Sequence, residues 1–265
     1  MYRKIGEVAE LLGITPSAIR KYEEKGILKS KRQTGNDYRQ YDVHDIAKLI
    51  RARMYKNMGF SIMETAEILN ETRLNDYAGV IERKKKEIAE EILYRQKMLS
   101  LMDDWKKEIA EIGETPHIEY SPAVYFIRYF YDYRLISDAK QIKSARQALV
   151  NVPISYPGFM VSEGVVRSGD DLVLTVGVQI KEEDVQGLGI TDLSCARFYP
   201  SRMCMSCTIK SAKEQPVSLE QMQELLGHMK AHGFRPTGDV LGKFILSDYE
   251  LEDYTYYSKI WIPFD

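Results

Sequence analysis

Near its N-terminus the chain reads Ile5-Gly6-Glu7-Val8-Ala9-Glu10-Leu11-Leu12-Gly13-Ile14-Thr15-Pro16, and this stretch decides the fold of the first domain. Its apolar spacing predicts a short amphipathic helix that ends at Gly13, because glycine closes helices in the left-handed conformation. Thr15 is a favourable helix N-cap and Pro16 a favourable first residue, so a second helix is expected from Pro16 to Lys25. Two short helices joined by a tight turn form a helix-turn-helix.

The residues that follow predict a wing and two more helices. Residues 30–41 carry a Gly-Asn-Asp sequence at their centre, which favours a hairpin turn. Together with the helices, this hairpin makes residues 1–75 a predicted winged helix-turn-helix domain. Of the two further helices, one is expected to begin after Asp42 and to end at Met58-Gly59, and the other to begin with the capping-box pair Ser61 and Glu64 and to end near Leu69.

Residues 76–112 predict a long amphipathic helix that needs a partner. Apolar residues recur there every seven positions, which is the spacing of a coiled coil. At 1.5 Å per residue the helix would be about 55 Å long, and Gly113 and Pro116 would end it. Because a lone helix would leave its apolar row in water, we expect residues 76–115 to hold a homodimer together. The row comprises Ile81, Ile88, Met102 and Ile109, with Met98, Trp105, Ile112, Ile92 and Leu99 beside it.

Residues 116–265 predict an α+β domain built from an internal repeat. Each copy has the order strand, helix, strand, strand, so the fold class is multidomain, α followed by α+β, with a duplicated β-α-β-β unit. Two such units can share one antiparallel sheet with helices on one face and a ligand on the other. The first copy is expected at 120–130, 138–150, 158–167 and 172–181, and the second at 202–211, 219–232, 238–247 and 255–264.

Composition and charge narrow the classes of function. The first 60 residues contain 13 Lys or Arg and 7 Asp or Glu, whereas the whole chain has a net charge of −2. A basic module at one end of a nearly neutral body is typical of a nucleic-acid-binding protein. The chain has no apolar run near the roughly 18–20 residues that cross a bilayer, and its start does not resemble a secretion signal, so we expect a cytoplasmic protein without a membrane partner. Three cysteines argue against a disulfide framework, and no cofactor is expected.

The candidate DNA-binding residues lie on the second helix and the hairpin. A recognition helix presents hydrogen-bond donors to the major groove, and a hairpin tip suits contact with the backbone or the minor groove. The alternative is a solvated basic face with ordinary tyrosines. The candidates are Thr15, Ser17, Arg20, Lys21 and Tyr22 on the helix, and Tyr38 and Arg39 on the hairpin.

The candidate ligand-binding residues are aromatic. Tyr125, Tyr129 and Tyr131 alternate on one predicted strand, so they share a face of the sheet. Aromatic pockets bind flat or cationic compounds, and the alternative is that these tyrosines are half-buried sheet residues. Glu163 is expected between Val161 and Val165 on a strand, as a ligand contact or as an ion pair with Arg128. Further walls are expected from Tyr156, Tyr199, Tyr256 and Trp261.

The sequence Cys204-Met205-Ser206-Cys207 has the spacing of metal ligands. On a strand, however, residues three apart point to opposite faces, so the two thiols cannot share one metal. We therefore expect two small core residues and no metal site.

The N-terminal part of the chain resembles the MerR family of transcriptional regulators. The resemblance rests on Ile5 to Ala9, on Ile19-Arg20-Lys21-Tyr22-Glu23, on residues 36–41 and on Met58-Gly59-Phe60-Ser61. Lys21 departs from the pattern, which has an aromatic residue there. The resemblance implies an antiparallel coiled-coil dimer that binds double-stranded promoter DNA. It also implies activation by distortion of the promoter, which acts indirectly on RNA polymerase.

The C-terminal part resembles the GyrI-like effector domain of multidrug-sensing regulators. The match rests on the repeated element order, on Gly238-Asp239-Val240 and on Trp261-Ile262-Pro263. It implies a small aromatic or lipophilic ligand. Relatives that bind cations have a glutamate at the position of Gly242, so a preference for cations does not carry over. The alternative function is a hydrolase of small electrophilic compounds, with Tyr and Glu as acid and base.

Overall fold

The computed structural model describes residues 2–28, 31–32, 39–132, 134–168, 173–212, 217, 219–250 and 253–265. Two compact units make up the chain, Met1–Arg95 and Gln96–Asp265. The division between them falls inside the longest helix, which therefore contributes residues to both units.

The first unit is helical with a small antiparallel sheet. Its strands have the order β1-β3-β2, and the predicted hairpin is present as the paired strands β2 and β3. The predicted turn between these strands lies outside the described residues. Its elements are β1 Arg3–Lys4, α1 Ile5–Leu12, α2 Pro16–Glu24, β2 Lys31–Arg32, β3 Arg39–Tyr41, α3 Val43–Asn57 and α4 Ile62–Asn70, followed by a 3₁₀ turn, Leu74–Asp76.

Local capping explains why the helices begin and end at these residues. Gly13 closes α1 with φ 60°, a left-handed conformation that glycine adopts without strain. The Thr15 hydroxyl accepts a hydrogen bond from the Ala18 amide at 3.1 Å, as the N-cap prediction requires. Ser61 and Glu64 form the predicted capping box at α4. The four helices predicted in this unit are therefore confirmed.

The predicted long helix is α5, Tyr77–Ala110, with 34 residues. It has no fully buried residue within the single chain. Its first turns are tied to α4, because the Lys84 ammonium lies 2.9 Å from the Glu64 carboxylate. A hydrogen bond from the Ser61 amide, together with Lys84, lowers the pKa of Glu64 to about 2. No helix of the described chain combines the length and apolar content that crossing a membrane requires.

The second unit contains one antiparallel sheet with the strand order β4-β10-β12-β11-β7-β8-β5-β6, and β9 pairs with β5 beside this path. An antiparallel sheet domain was predicted, and the structure shows one. Its strands are β4 His117–Tyr120, β5 Val124–Tyr131, β6 Arg134–Leu135, β7 Tyr156–Val161, β8 Leu174–Lys181, β9 Arg197–Tyr199, β10 Met203–Ala212, β11 Val240–Glu250 and β12 Asp253–Pro263; its further helices are α6 Ala139–Leu149, α7 Glu163–Ser168 and α8 Leu219–Ala231, with a 3₁₀ turn, Glu182–Asp184.

Both longer helices of the second unit pack on the same face of the sheet. On β8, Val178 and Ile180 pack with α6, whereas Leu174 belongs to the core beneath α8. These residues have even numbers, and side chains two apart on a strand share a face. The odd-numbered residues Gln179 and Lys181 therefore face the opposite side.

Only the first part of the segment 158–167, which was predicted to be a strand, is extended. The strand β7 ends at Val161, and Glu163 begins the short helix α7. The Asp239 carboxylate accepts a hydrogen bond from the Glu163 amide at 2.9 Å, which satisfies a free amide at the helix start. Glu163 pairs with Arg167 one turn later, rather than with Arg128. Its predicted place on a strand face is therefore wrong.

Gly242 faces the core beneath α8, not the opposite side of the sheet. A Cβ atom at this position would overlap the ring of Phe159, which is fully buried. A glutamate could not be accommodated here without moving that ring. Gly242, which aligns with the glutamate of cation-binding relatives, is therefore a core-packing position in this chain.

We expect Gly242→Ala to lower the unfolding free energy of the second unit by about 1–3 kcal/mol, because overpacking strains a close-packed core. Gly227→Ala on α8 is the matched control, since a Cβ there meets nothing within 4 Å. It should raise stability by about 0.4–1 kcal/mol. Tryptophan fluorescence during denaturation reports on this unit alone, because both tryptophans, Trp105 and Trp261, belong to it. Equal stability of Gly242→Ala and the wild type would contradict the packing described here.

Candidate functional site

The helix α2 presents a polar surface on one side and core residues on the other. Ile19 is fully buried, whereas Ser17, Arg20 and Lys21 are exposed. Thr15 is exposed as well, and its hydroxyl is used to cap the helix. Within the first unit, the predicted hydrogen-bond donors of α2 are therefore accessible to a binding partner.

Tyr22 lies in the core instead. It is 8% exposed and packs in the same cluster as Ile19 and Leu49. Burial raises the pKa of its hydroxyl. The structure therefore places this candidate DNA-binding residue in the core of the first unit, not on the exposed surface of α2.

Arg39 connects the wing strand β3 to α2. Its Nε donates to Glu23 at 2.9 Å, and the hydroxyl of the buried Tyr41 donates to the other oxygen of the same carboxylate at 2.9 Å. Glu23 therefore fixes the base of the wing against α2. The Arg39 side chain remains 39% exposed, so it can face a further partner. Tyr38 lies outside the described residues.

The second unit contains a cavity of about 580 Å³ between the sheet and the last turns of α5. Residues 98–111 form one wall, and the sheet face opposite α6 and α8 forms the other. The sequence predicted that this sheet face would be open, but the end of α5 covers part of it. The walls are formed by Met98, Leu101, Met102, Asp104, Trp105, Lys107, Glu108, Glu111, Tyr120, Pro122, Val152, Pro153, Tyr156, Pro157, Lys181, Lys243, Phe244, Ile245 and Trp261.

Four charged residues join the two walls of this cavity. Lys243 on β11 donates to both oxygens of Glu108 at 2.6 and 2.7 Å. Lys259 on β12 contacts Glu111 at 2.7 Å. The two lysines are direct partners across the strands, and the two glutamates are three residues apart on the helix side. Helix carboxylates thus neutralise a pair of like charges on the sheet.

Glu119 on β4 completes the surroundings of Lys259. Its carboxylate lies 3.0 Å from the Lys259 ammonium and accepts a hydrogen bond from the Trp261 indole at 2.8 Å. Burial works to lower the pKa of Lys259, but the hydrogen bonds to Glu111 and Glu119 outweigh burial and raise it. Lys259 therefore keeps its positive charge within the packed sheet.

Aromatic side chains complete the cavity. Tyr156 is 8% exposed, and its ring lies 5.1 Å from the Lys243 ammonium. Burial raises the pKa of the Tyr156 hydroxyl, and the negative charges of Glu108 and Asp184 raise it further. The Trp105 indole donates to the Ile245 carbonyl at 2.9 Å, which attaches the helix to β11.

The structure brings only some of the predicted ligand residues together. Tyr156 and Trp261 line the cavity, whereas Tyr129 and Tyr256 line a separate depression of about 380 Å³. Tyr125 packs against Phe198 with ring centres 4.8 Å apart. The alternation on β5 is broken, because the pairing with β8 shifts register between Arg128 and Phe130. Glu163 belongs to α7 and is not among the residues that line the cavity.

Sequence reasoning missed Trp105, Glu108 and Lys243, which contribute to the cavity. Trp105 was assigned to the dimer contact, and the charged residues gave no periodic signal. A usable signal was present in Glu108 and Glu111, whose spacing of three places two carboxylates on one side of a helix. A second signal was the pair of lysines at equivalent positions of two predicted neighbouring strands.

The two cysteines of the CxxC sequence lie on opposite faces of β10, as predicted. Cys204 belongs to the cluster with Trp261, whereas Cys207 packs against the core beneath α8. Burial raises the pKa of both thiols, that of Cys207 to about 11. They behave as core residues, as the strand geometry indicates. Among the described residues there is no group of three His, Cys, Asp or Glu placed to hold a metal.

Comparison with known proteins assigns the N-terminal unit. The model of the family described as MerR HTH family regulatory protein matches residues 3–72. The HTH-type transcriptional regulator CueR of Escherichia coli O6:H1 is 36% identical over 66 residues, which are 25% of this chain and 49% of CueR. The ZntR homolog of Haemophilus influenzae is 30% identical over 116 residues, which are 43% of this chain and 74% of that regulator.

The matches differ in coverage and in structural similarity. The chain spans about half the length of CueR. The matching chain in a cryo-EM structure of an EcmrR–DNA complex is 16% identical over 99% of both chains, with a TM-score of 0.40. The helix-turn-helix geometry, the matched family model and the similarity to the ZntR homolog together show that this chain is a member of the MerR family of helix-turn-helix regulatory proteins.

Proposed function

We propose that this protein is a homodimeric transcriptional regulator that binds double-stranded promoter DNA and responds to a small aromatic or lipophilic ligand. The observation that carries the proposal is the exposed polar surface of α2 in a MerR-type helix-turn-helix. The names of the CueR and ZntR relatives, both transcriptional regulators, support a regulatory protein rather than an enzyme.

DNA recognition is proposed to use α2 and the wing. Arg20 suits a bidentate contact with guanine in the major groove, and Ser17 and Lys21 suit neighbouring contacts. Arg39 suits a phosphate, because its attachment to Glu23 would hold it at a defined distance from α2. In the active state the dimer would distort the promoter and so act indirectly on RNA polymerase.

The dimer contact is proposed to be an antiparallel coiled coil of α5. The apolar row on this helix is solvent-exposed in the single chain, including Ile81, Ile88 and Ile109. Exposed apolar residues at heptad spacing indicate a surface that another helix covers. In this organisation residues 1–75 bind DNA, residues 76–115 hold the dimer, and residues 116–265 bind the ligand.

The ligand is proposed to occupy the cavity between α5 and the sheet, against Tyr156 and Trp261. A volume of about 580 Å³ is ordinary for a drug-sized ligand. We propose a GyrI-like effector domain with a duplicated β-α-β-β unit, supported by the order β10-α8-β11-β12 and by the order β5-α6-β7-β8 with the short elements β6 and α7 inserted.

We expect Arg20→Ala to weaken binding to the specific promoter by about 1–3 kcal/mol, because a base contact is lost. Arg39→Ala should weaken binding to all DNA sequences, because a phosphate contact is lost. The slope of the logarithm of affinity against the logarithm of salt concentration should become shallower by about one. Fluorescence anisotropy with specific and unrelated duplexes measures both effects. Lys85→Ala on α5 is the control and should bind normally. Unchanged binding by both arginine variants would remove α2 and the wing from the DNA interface.

We expect the Ile88→Asp and Ile109→Asp double variant to be monomeric in sedimentation and to lose promoter binding, because two charges would enter the apolar row. Ser100→Asp adds a charge to the same exposed helix at a heptad position away from the row. This control should remain a dimer. If the double variant sediments as a dimer, the proposed contact is in the wrong place.

A further inference from the structure

The cavity contains a cation that belongs to the protein itself. The Lys243 side chain is 20% exposed and the Glu108 side chain 15% exposed. The Lys243 ammonium contacts both oxygens of Glu108 and lies over the ring of Tyr156. All three residues line the cavity.

This arrangement has the chemistry of a binding site for an ammonium ion. A carboxylate forms short charge-assisted hydrogen bonds to an ammonium group, and the face of an aromatic ring attracts a cation. Glu108 and Tyr156 provide both, and the side chain of Lys243 fills the position that an external cation would take. The subsite is therefore occupied from within the chain.

The neighbouring lysine makes this occupant difficult to displace. Lys259 lies directly across the strands from Lys243, and like charges in such positions are destabilising unless each is neutralised. Lys259 already uses Glu111 and Glu119. A cationic ligand that took Glu108 would leave Lys243 without its carboxylate and beside a second positive charge.

An anionic ligand meets a corresponding obstacle. To reach Lys243 it would have to replace Glu108, which is mostly buried. An unpaired buried carboxylate is costly, because its charge has lost both water and its counter-ion. The paired charges thus disfavour both kinds of ion while leaving the aromatic and apolar walls accessible.

We infer that Lys243 determines the specificity of this cavity: its ammonium fills the cation subsite formed by Glu108 and Tyr156, so that the wild-type protein accepts uncharged aromatic or lipophilic compounds and rejects cations. This inference rests on the proposed ligand-binding function of the cavity. It predicts that removal of one charge reverses the preference.

Lys243→Met tests the inference, because methionine removes the charge and retains much of the apolar stem. The probes are phenylbutanol and phenylbutylammonium, which share their apolar part and differ in charge at neutral pH. Calorimetric titration of the full-length protein should show wild-type binding of phenylbutanol at least about tenfold tighter than that of phenylbutylammonium. Lys243→Met should gain at least about tenfold in affinity for phenylbutylammonium.

Two further variants separate specificity from general loosening of the fold. Glu108→Gln added to Lys243→Met should abolish the gain, because the subsite beside Tyr156 then has lost the carboxylate that pairs with an ammonium group there. Lys230→Met removes an exposed lysine on α8 that does not line the cavity and should produce no gain for phenylbutylammonium. Circular dichroism establishes that each variant is folded before titration.

The outcomes distinguish the inference from the function on which it rests. If the wild type binds both probes equally, or binds the ammonium more tightly, Lys243 does not exclude cations and the inference is overturned, even if Lys243→Met fails to fold. If Lys243→Met binds phenylbutanol without a gain for the ammonium, the inference is overturned and the ligand-binding function remains. If no variant binds either probe, the proposed ligand-binding role of the cavity fails, and the inference fails with it.

Discussion

Lys243 and Lys259 are direct neighbours on adjacent strands, and the second unit of the molecule depends on how their charges are neutralised. Glu108 and Glu111, at the end of α5, provide the carboxylates, and Glu119 adds a third. Without the helix, the sheet face would carry two neighbouring positive charges in a mostly apolar surface. The ion pairs therefore hold residues 98–111 against the sheet. This placement of the helix end forms one wall of the cavity.

This requirement links the proposed dimer helix, α5, to the proposed ligand site. Residues 77–95 of α5 belong to the first unit and residues 96–110 to the second. A ligand between the end of α5 and the sheet would change the packing of the same helix that is proposed to pair the two subunits. Differential ligand affinity for two positions of that segment would supply the coupling free energy that allostery requires.

Local signals in the sequence were sufficient for the first unit and for the strand pattern of the second. Gly13, Thr15 and the Ser61–Glu64 pair determine helix ends through bonds within a few residues. The errors all concern distant contacts. Glu163 starts a helix because Asp239, 76 residues away, accepts its amide. The cavity depends on contacts between α5 and strands about 140 residues later, which periodicity does not encode.

The most direct test of this account is the coupling free energy between Glu108 and Lys243. Denaturant unfolding of the wild type, Glu108→Gln, Lys243→Met and the double variant, followed by tryptophan fluorescence, yields that energy for the unit that contains both tryptophans. For a buried, bidentate pair next to a second lysine, we expect the losses of unfolding free energy in the two single variants to sum to more than the loss in the double variant. The expected coupling free energy is about 1–3 kcal/mol. Additive effects within about 0.5 kcal/mol would show that the pair does not attach α5 to the sheet.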